Sequence, residues 1–311
     1  MKIPTSKTTT SLIHGILVIV TLFVATPGWA GSIFLTGHDP GYHAITGPDE
    51  IVVQNFNRVA VNFVMDPAFN PFTTSSSKFL FVESNIEVPE ERRRDVDGFI
   101  DSGFLSGTDF DWVTASTLNM ALNQLGTTYS AIVVASDFGG LLTQAELDIL
   151  NTRSGDIIDF LNRGGGLYAM SESNAGHAGF MLGHEGLTPK GGHFGFLPFV
   201  VTSTATEYLG PTVTTDFGKS LGLEDFEARA DHNFFNGTFG LSIVDTTEFG
   251  EIISLAGRGS VGGGGVTPVP EPSTVVLLVT GLVGLLVLSK LTPRQYPRCR
   301  IAPGVQVFGN F

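Results

Sequence analysis

Cysteine is almost absent from this chain of 311 residues, since Cys299, near the carboxyl end, is its only one. An internal disulfide framework, a cysteine-ligated metal site and a thiol nucleophile are therefore excluded for everything that precedes Cys299. A domain of this length can bury an adequate core without such cross-links. The sequence thus predicts a fold that depends on packing and hydrogen bonding.

Basic residues are scarce as well, with 17 Lys and Arg against 30 Asp and Glu. Between Gly31 and Pro268 the imbalance is larger, because 29 of the acids but only 11 of the bases lie there, which gives a net charge of −18. A surface of that sign repels nucleic acid, and no nucleic-acid partner is expected. Within this body, the acidic stretch from Asp95 to Asp111 is predicted to be a solvated loop.

Long apolar runs are confined to the two ends of the chain. At the amino end, Lys2 and Lys7 precede a mostly apolar stretch from Leu12 to Val24, and the small residues Gly28 and Ala30 follow. A basic segment, a short apolar segment and a small-residue cleavage site are typical of a secretory signal peptide. Residues 1–30 are therefore predicted to be recognised by the Sec machinery and removed by signal peptidase.

The apolar run at the carboxyl end has an unusual neighbour. Pro270, Glu271 and Pro272 stand directly before residues 274–289, which are predicted to form a transmembrane helix, and basic residues follow up to position 300. The two prolines hold their segment extended and keep it out of the following helix. A plain membrane anchor with a proline-containing hinge is the alternative interpretation.

This arrangement resembles the PEP-CTERM sorting signal of exported bacterial proteins, in which Pro-Glu-Pro precedes a transmembrane run and a basic cluster. The resemblance implies processing at Pro270–Pro272 by a membrane-embedded exosortase of a Gram-negative bacterium. It also implies a precursor anchored in the inner membrane, a final place at the cell surface or outside the cell, and exopolysaccharide or other surface matrix as a partner. Residues 301–311 continue beyond the signal at 270–300 as a tail.

Between the two ends, apolar strands alternate with helices. The pattern predicts a single flavodoxin-like α/β domain over residues 31–257, with a mainly parallel sheet flanked by helices. Thr143 and Glu146 have the spacing of a capping box at the start of one helix. A glycine-rich stretch at 258–269 is predicted to be a linker. The predicted strands are Ser32–Thr36, Phe79–Val82, Ala131–Ala135 and Leu167–Ser171, followed by three later strands at 196–201, 241–244 and 251–257. The other predicted helices are Asp49–Met65 and Thr114–Leu125.

The stretch from Ala131 to Ser173 resembles the class I glutamine-amidotransferase-like fold, including its trehalose-utilisation-type branch. The shared features are a strand that leads into Ser136–Gly140, a capped helix, a triple glycine at 164–166 and the strand after it. The resemblance implies a nucleophile elbow near Ser171, where the catalytic Cys of the family is missing. The sequence there is not Gly-x-Ser-x-Gly, so the pattern of a serine hydrolase is incomplete.

Histidines and carboxylates near the predicted strand ends form a candidate ligand site. In an open α/β sheet the ligand crevice lies at the carboxyl ends of the strands. Such side chains can bind a small ligand or a metal, but their spacings match no metal motif, and loop histidines bonded to water or backbone are the alternative. The candidates are His38, Asp39, Asp137, Ser171, Glu172, His177, His193 and His232, with Ser171 and His177 as candidate catalytic residues.

The sequence therefore predicts an exported cell-surface or matrix protein whose body is a non-catalytic binding or structural module. No cofactor and no metal site are predicted for this body. The alternative is an extracytoplasmic hydrolase that uses Ser171 or a His/carboxylate metal site.

Overall fold

The computed structural model describes most of the body of the protein. The chain divides into two compact units, Met1–Val269 and Pro270–Phe311. The predicted signal peptide and sorting signal lie outside the described residues, which do not include 1–29, Pro270–Pro272 or 274–289 except Leu282. Among the described residues, no helix is long and apolar enough to cross a membrane. The described residues are 30–45, 47, 49–83, 95–136, 142–171, 197, 203–207, 210–225, 231–263, 265–268 and 282, with backbone alone for 203–207 and 231–233.

One mixed sheet forms the centre of the first unit. Its described strands are β1 (Gly31–Thr36), β2 (Lys78–Val82), β3 (Phe110–Val113), β4 (Tyr129–Val134), β5 (Gly166–Met170), β6 (Ser203–Glu207), β7 (Thr212–Thr214), β8 (Asp231–Phe235), β9 (Ser242–Thr247), β10 (Ile252–Gly262) and β11 (Gly265–Pro268). The order is β3-β2-β4-β5-β1-β10-β8-β6, with β9 and β11 also paired to β10, and β7 to β9. The first five strands in this order are parallel, and the remaining pairs are antiparallel.

The described α-helices, all but the last of which lie in the connections between the parallel strands, have the following bounds. They are α1 (Pro40–His43), α2 (Glu50–Val64), α3 (Asp95–Asp101), α4 (Ala115–Ala121), α5 (Gln144–Thr152), α6 (Ser154–Asn162) and α7 (Asp216–Ser220). The predicted capping box is confirmed, because the amide of Thr143 donates to Glu146 Oε2 at 2.8 Å and the Thr143 side chain accepts from the amide of Glu146. The helix predicted after Thr143 is interrupted at Arg153, next to a Ser154–Gly155 pair of the kind that bends helices.

The parallel half of the sheet has a doubly wound strand order, but the first strand along the chain takes the last place in that order. A flavodoxin-like sheet has the order 2-1-3-4-5. The order β3-β2-β4-β5-β1 is the same if β2 is counted first and β1 last. The predicted α/β class is thus confirmed, and the architecture is consistent with a flavodoxin-like fold. Since β1 lies between β5 and β10, it joins the parallel half to the antiparallel half.

Two apolar layers cover opposite faces of the sheet. Alternate residues of a strand point to opposite faces, so Ile33 of β1 packs in one layer and Phe34 in the other. The first layer contains α4, α5 and α6, with Leu147 and Phe160 fully buried. The second contains α2 and α3 and is rich in aromatic rings, including Phe56 at 5.4 Å from Phe34 in an edge-to-face contact. The parallel strands are therefore buried on both faces.

The predicted linker at 258–269 is a β-hairpin of the sheet, so that prediction is wrong. Gly259 of β10 lies opposite Pro268 of β11, and Val261 lies opposite Val266. A side chain at Gly259 would overlap the carbonyl oxygen of Thr267, so glycine permits the two strands to approach each other. Val266 is buried in the first apolar layer. The glycines of this segment thus serve close packing rather than flexibility.

Candidate functional site

The carboxyl ends of the parallel strands carry polar side chains that are buried. Four connections contribute, those after β1, β2, β4 and β5, and further groups come from α3, β9 and β10. Among the described residues of this edge, polar atoms from distant parts of the chain meet inside the protein. The residues are Thr36, His38, Asp39, Glu83, Asp95, Ser136, Ser171, Asp245 and Ser254, each at most 1 % exposed.

His38 is held between the two halves of the sheet. Its Nε2 lies 2.9 Å from Asp245 Oδ2, and both side chains are about 2 % exposed. Strand register explains the meeting, because Asp245 lies opposite Ser254 and Ser254 lies opposite Thr36, two residues before His38. The hydroxyl oxygens of Thr36 and Ser254 are 2.8 Å apart, and the His38 amide donates to the hydroxyl of Thr36 at 3.1 Å. The imidazole is therefore fixed by buried hydrogen bonds.

Asp39 begins α1 and is fully buried. Its Oδ1 accepts a hydrogen bond from the amide of Tyr42 at 3.4 Å. Burial raises the pKa of Asp39 above its ordinary value, while the charge of His43 and, less strongly, the side chains of Asp95 and Ser136 oppose that rise. Asp39 therefore keeps its proton to a higher pH than an exposed aspartic acid does.

Glu83 connects the end of β2 to the start of α3. Its two carboxylate oxygens accept hydrogen bonds from the amides of Asp95 and Val96, at 3.0 and 3.3 Å. A carboxylate in this position satisfies amides that have no partner within the helix and complements the helix dipole. The prediction of a solvated loop from Asp95 to Asp111 is wrong over α3, since Asp95, Val96 and Phe99 are buried.

Tyr168 is buried near three of these acids. Its hydroxyl donates to Asn57 Oδ1 at 3.1 Å. Burial raises the pKa of Tyr168 well above its ordinary value, and the charges of Asp95, Asp39 and Asp245 raise it further. Three carboxyl groups from three elements thus act on one phenol. Within the described part of the chain, however, no three His, Cys, Asp or Glu side chains are placed to hold a metal ion.

Ser171, a candidate catalytic residue of the alternative hydrolase interpretation, is part of the contact between β5 and β1. Its amide and its hydroxyl both donate to the carbonyl oxygen of Thr36, at 2.9 and 3.2 Å, and its side chain is fully buried. Serine catalysis requires a hydroxyl that reaches the substrate and a base that accepts its proton. The two hydrogen bonds described for Ser171 link β5 to β1.

The remaining predicted site residues are placed as follows. The structure brings His38, Asp39 and Ser171 to the same edge of the sheet, as expected. His232 belongs to strand β8 and lies opposite Thr206 of β6, so it is not a loop histidine. The residues that lie outside the described part of the chain are Asp137, Glu172, His177 and His193.

Sequence reasoning missed Glu83, Asp95, Ser136 and Asp245. Glu83 and Ser136 directly follow apolar strands, so the rule that indicated His38 also applies to them. Asp245 carries no comparable signal, because it lies on an antiparallel strand 207 residues from its partner His38.

No protein-family model matches this chain, and no curated protein matches it either.

Proposed function

We propose that this protein is exported, sorted through its carboxyl-terminal signal to the cell surface or extracellular matrix, and non-catalytic in its α/β body. The observation that carries the second part is the burial of the polar groups at the carboxyl edge. The ring of His38 is bonded to Asp245, the hydroxyl of Ser171 to Thr36, and the carboxylate of Glu83 to α3. Groups committed to internal hydrogen bonds serve the fold, and the body is a structural or binding module.

Export and sorting are supported by the order of segments in the sequence. A basic and apolar stretch with a small-residue cleavage site precedes Gly31, and Pro270–Pro272 precedes a second apolar stretch with bases behind it. An extended Pro-Glu-Pro segment is a suitable substrate for a membrane protease, because proline keeps the backbone out of a helix.

Mass spectrometry of the protein released into the medium tests the sorting. We expect a chain that begins at Gly31 and ends near Pro270–Pro272, and we expect Glu271→Ala to increase the membrane-bound form. Glu224→Ala is the matched control, since Glu224 is an exposed acid of the body. A released chain that still contains Leu277–Leu288 contradicts processing at this signal.

The non-catalytic assignment is tested by Ser171→Ala. We expect no hydrolysis of small p-nitrophenyl esters above the buffer rate, in either the wild type or the variant. Loss of the buried hydrogen bond to Thr36 should lower the free energy of unfolding by about 1 kcal/mol. Ser75→Ala, at an exposed turn, should leave both measurements unchanged. Ester turnover that Ser171→Ala abolishes would overturn the assignment.

A further inference from the structure

The connection between β8 and β9 contains the only Asn-Gly pair of the sequence, Asn236 and Gly237. Asn236 is exposed, and no hydrogen bond of the described residues involves Asn236 or the amide of Gly237. The side-chain amide and the next backbone nitrogen therefore both lie open to water, without partners in the protein that would hold them apart.

The fold does not require glycine at position 237. Its backbone lies outside the left-handed region that favours glycine. Apart from its chain neighbours, the atom nearest to a methyl group added there would belong to the ring of Phe239, at 3.8 Å, an ordinary contact distance. What the missing side chain does change is the access of other groups to the backbone nitrogen of Gly237.

This access permits a reaction between the two residues. Once water or hydroxide has removed its proton, the backbone nitrogen of Gly237 attacks Cγ of Asn236. The new N–Cγ bond replaces the Cγ–Nδ2 bond, and Nδ2 takes a proton from water and leaves as ammonia. A second water then opens the five-membered imide at either of its two carbonyl groups, which leaves aspartate or isoaspartate. Ring closure within one chain needs only a suitable local geometry, which a glycine without a Cβ reaches most readily.

We propose that Asn236 is a site of spontaneous deamidation, in which the backbone nitrogen of Gly237 closes the ring and water completes the reaction. The proposal goes beyond the proposed function and does not depend on export or sorting. Each product carries one more negative charge than the parent. The isoaspartate product also has an additional methylene group in its main chain, between β8 and β9.

The residues that follow this site hold the hairpin of β10 and β11 in place. The carbonyl oxygen of Phe239 accepts a hydrogen bond from the amide of Val266 at 2.7 Å, and a side chain at Gly240 would overlap the carbonyl oxygen of Val266. The amide of Leu241 donates to the carbonyl oxygen of Thr238 at 2.8 Å. Phe239 has a φ of 52°, which is uncommon for a residue with a side chain. A longer main chain directly before this turn should therefore disturb these contacts.

Mass spectrometry of the full chain tests the site. The purified protein is kept at pH 8 or pH 5 for several days and digested with pepsin at acid pH, so that digestion adds no deamidation. We expect a gain of about 1 Da at Asn236, which corresponds to the exchange of NH₂ for OH. The gain should be faster at pH 8, because the attacking nitrogen must lose its proton. Asn123, which is exposed and followed by Gln124, is the reference within the same sample.

Gly237→Ala is the matched variant, because its methyl group hinders ring closure but meets no atom of the fold closer than 3.8 Å. It should slow the gain at Asn236 by at least about tenfold. A fast gain in the wild type and a slow one in the variant support the proposal. Equal rates in both proteins overturn ring closure by the nitrogen of Gly237. A wild type that stays unmodified while a synthetic peptide of residues 234–240 deamidates also overturns the proposal, because the fold then protects Asn236.

The effect on the turn is measured separately. Asn236→Asp adds the charge alone at an exposed position and should melt like the wild type. The isoaspartate fraction, separated by ion-exchange chromatography, should melt at least about 2 °C lower. Equal melting temperatures for the isoaspartate fraction and Asn236→Asp would overturn the expected disturbance of the turn.

Discussion

At the carboxyl edge of the sheet the acids are buried and bonded within the fold, whereas at the amino edge, where the parallel strands begin, charged side chains pair near the surface. His38 and Asp245 are about 2 % exposed, while Lys78 and Asp111 are 24 % and 33 % exposed. Removal of one partner from a buried pair destabilises a protein by about 3 to 5 kcal/mol, whereas an exposed pair contributes about 1 kcal/mol or less. The side chains that resemble a ligand site are therefore the ones on which the fold should depend most.

The largest effect is expected from Asp245→Ala. The substitution leaves the buried ring of His38 without its carboxylate partner and should lower the free energy of unfolding by about 3 kcal/mol. Urea denaturation of the purified protein measures this change.

Asp66→Ala is the matched control at the other edge. It removes the carboxylate partner of Arg258, but the guanidinium still stacks on Phe63 and Phe69, at 4.3 and 3.7 Å from their ring centroids. We expect a loss below about 1 kcal/mol. Equal losses for Asp245→Ala and Asp66→Ala would remove the distinction between the two edges.

Gly98→Ala gives the next largest expected effect. Gly98 of α3 packs against Gly41 of α1, and a methyl group there would overlap the carbonyl oxygen of Gly41. Backbone atoms cannot rotate away as a side chain can, so we expect the free energy of unfolding to fall by about 2 to 3 kcal/mol.

Gly155→Ala in α6 is the control, because no atom lies within 4 Å of the added methyl group. That change should stabilise the protein by about 0.5 kcal/mol, since alanine favours a helix. Thermal melts of both variants would contradict this account if the two shifts had the same sign.

Much of the parallel half could be predicted because its signals are local. The run from Ala131 to Ala135 is apolar throughout, as a strand covered on both faces must be. The capping box of Thr143 and Glu146 lies within four residues and marks the start of α5. Likewise, Glu50 follows Asp49 in the first turn of α2, where acids favour a helix start. Such patterns depend on neighbours in the sequence and need no knowledge of the final packing.

The rest depends on partners that are far away in the sequence. Asp245 meets His38 only because β9 and β10 pair with register shifts and β10 then pairs with β1. The acidic stretch at Asp95 is buried because Glu83 binds the amides of α3. Composition alone predicts a flexible linker for the glycines before Val266, because it does not distinguish a linker from two closely paired strands. The burial of Asp245 could not be predicted for the same reason, since burial is a tertiary property.

Glu146→Gln gives a smaller expected effect than Asp245→Ala or Gly98→Ala, and its sign depends on pH. Burial raises the pKa of Glu146 to about 7, against opposition from its hydrogen bonds with Thr143. The folded protein therefore holds a proton that the unfolded chain has released above about pH 5, and the free energy of unfolding should fall as pH rises through about 7. Glu146→Gln keeps the capping box and removes the titration, so it should match the wild type at pH 5 and exceed it by about 2 kcal/mol at pH 8. A residual slope of the same sign is expected from Asp39, whose pKa is also raised by burial.

Asp148→Asn, at an exposed position of the same helix, should retain the wild-type profile. Denaturant titrations at several pH values measure the profiles, and a Glu146→Gln protein less stable than wild type at pH 8 would show that its carboxylate stabilises α5 in the ionised form.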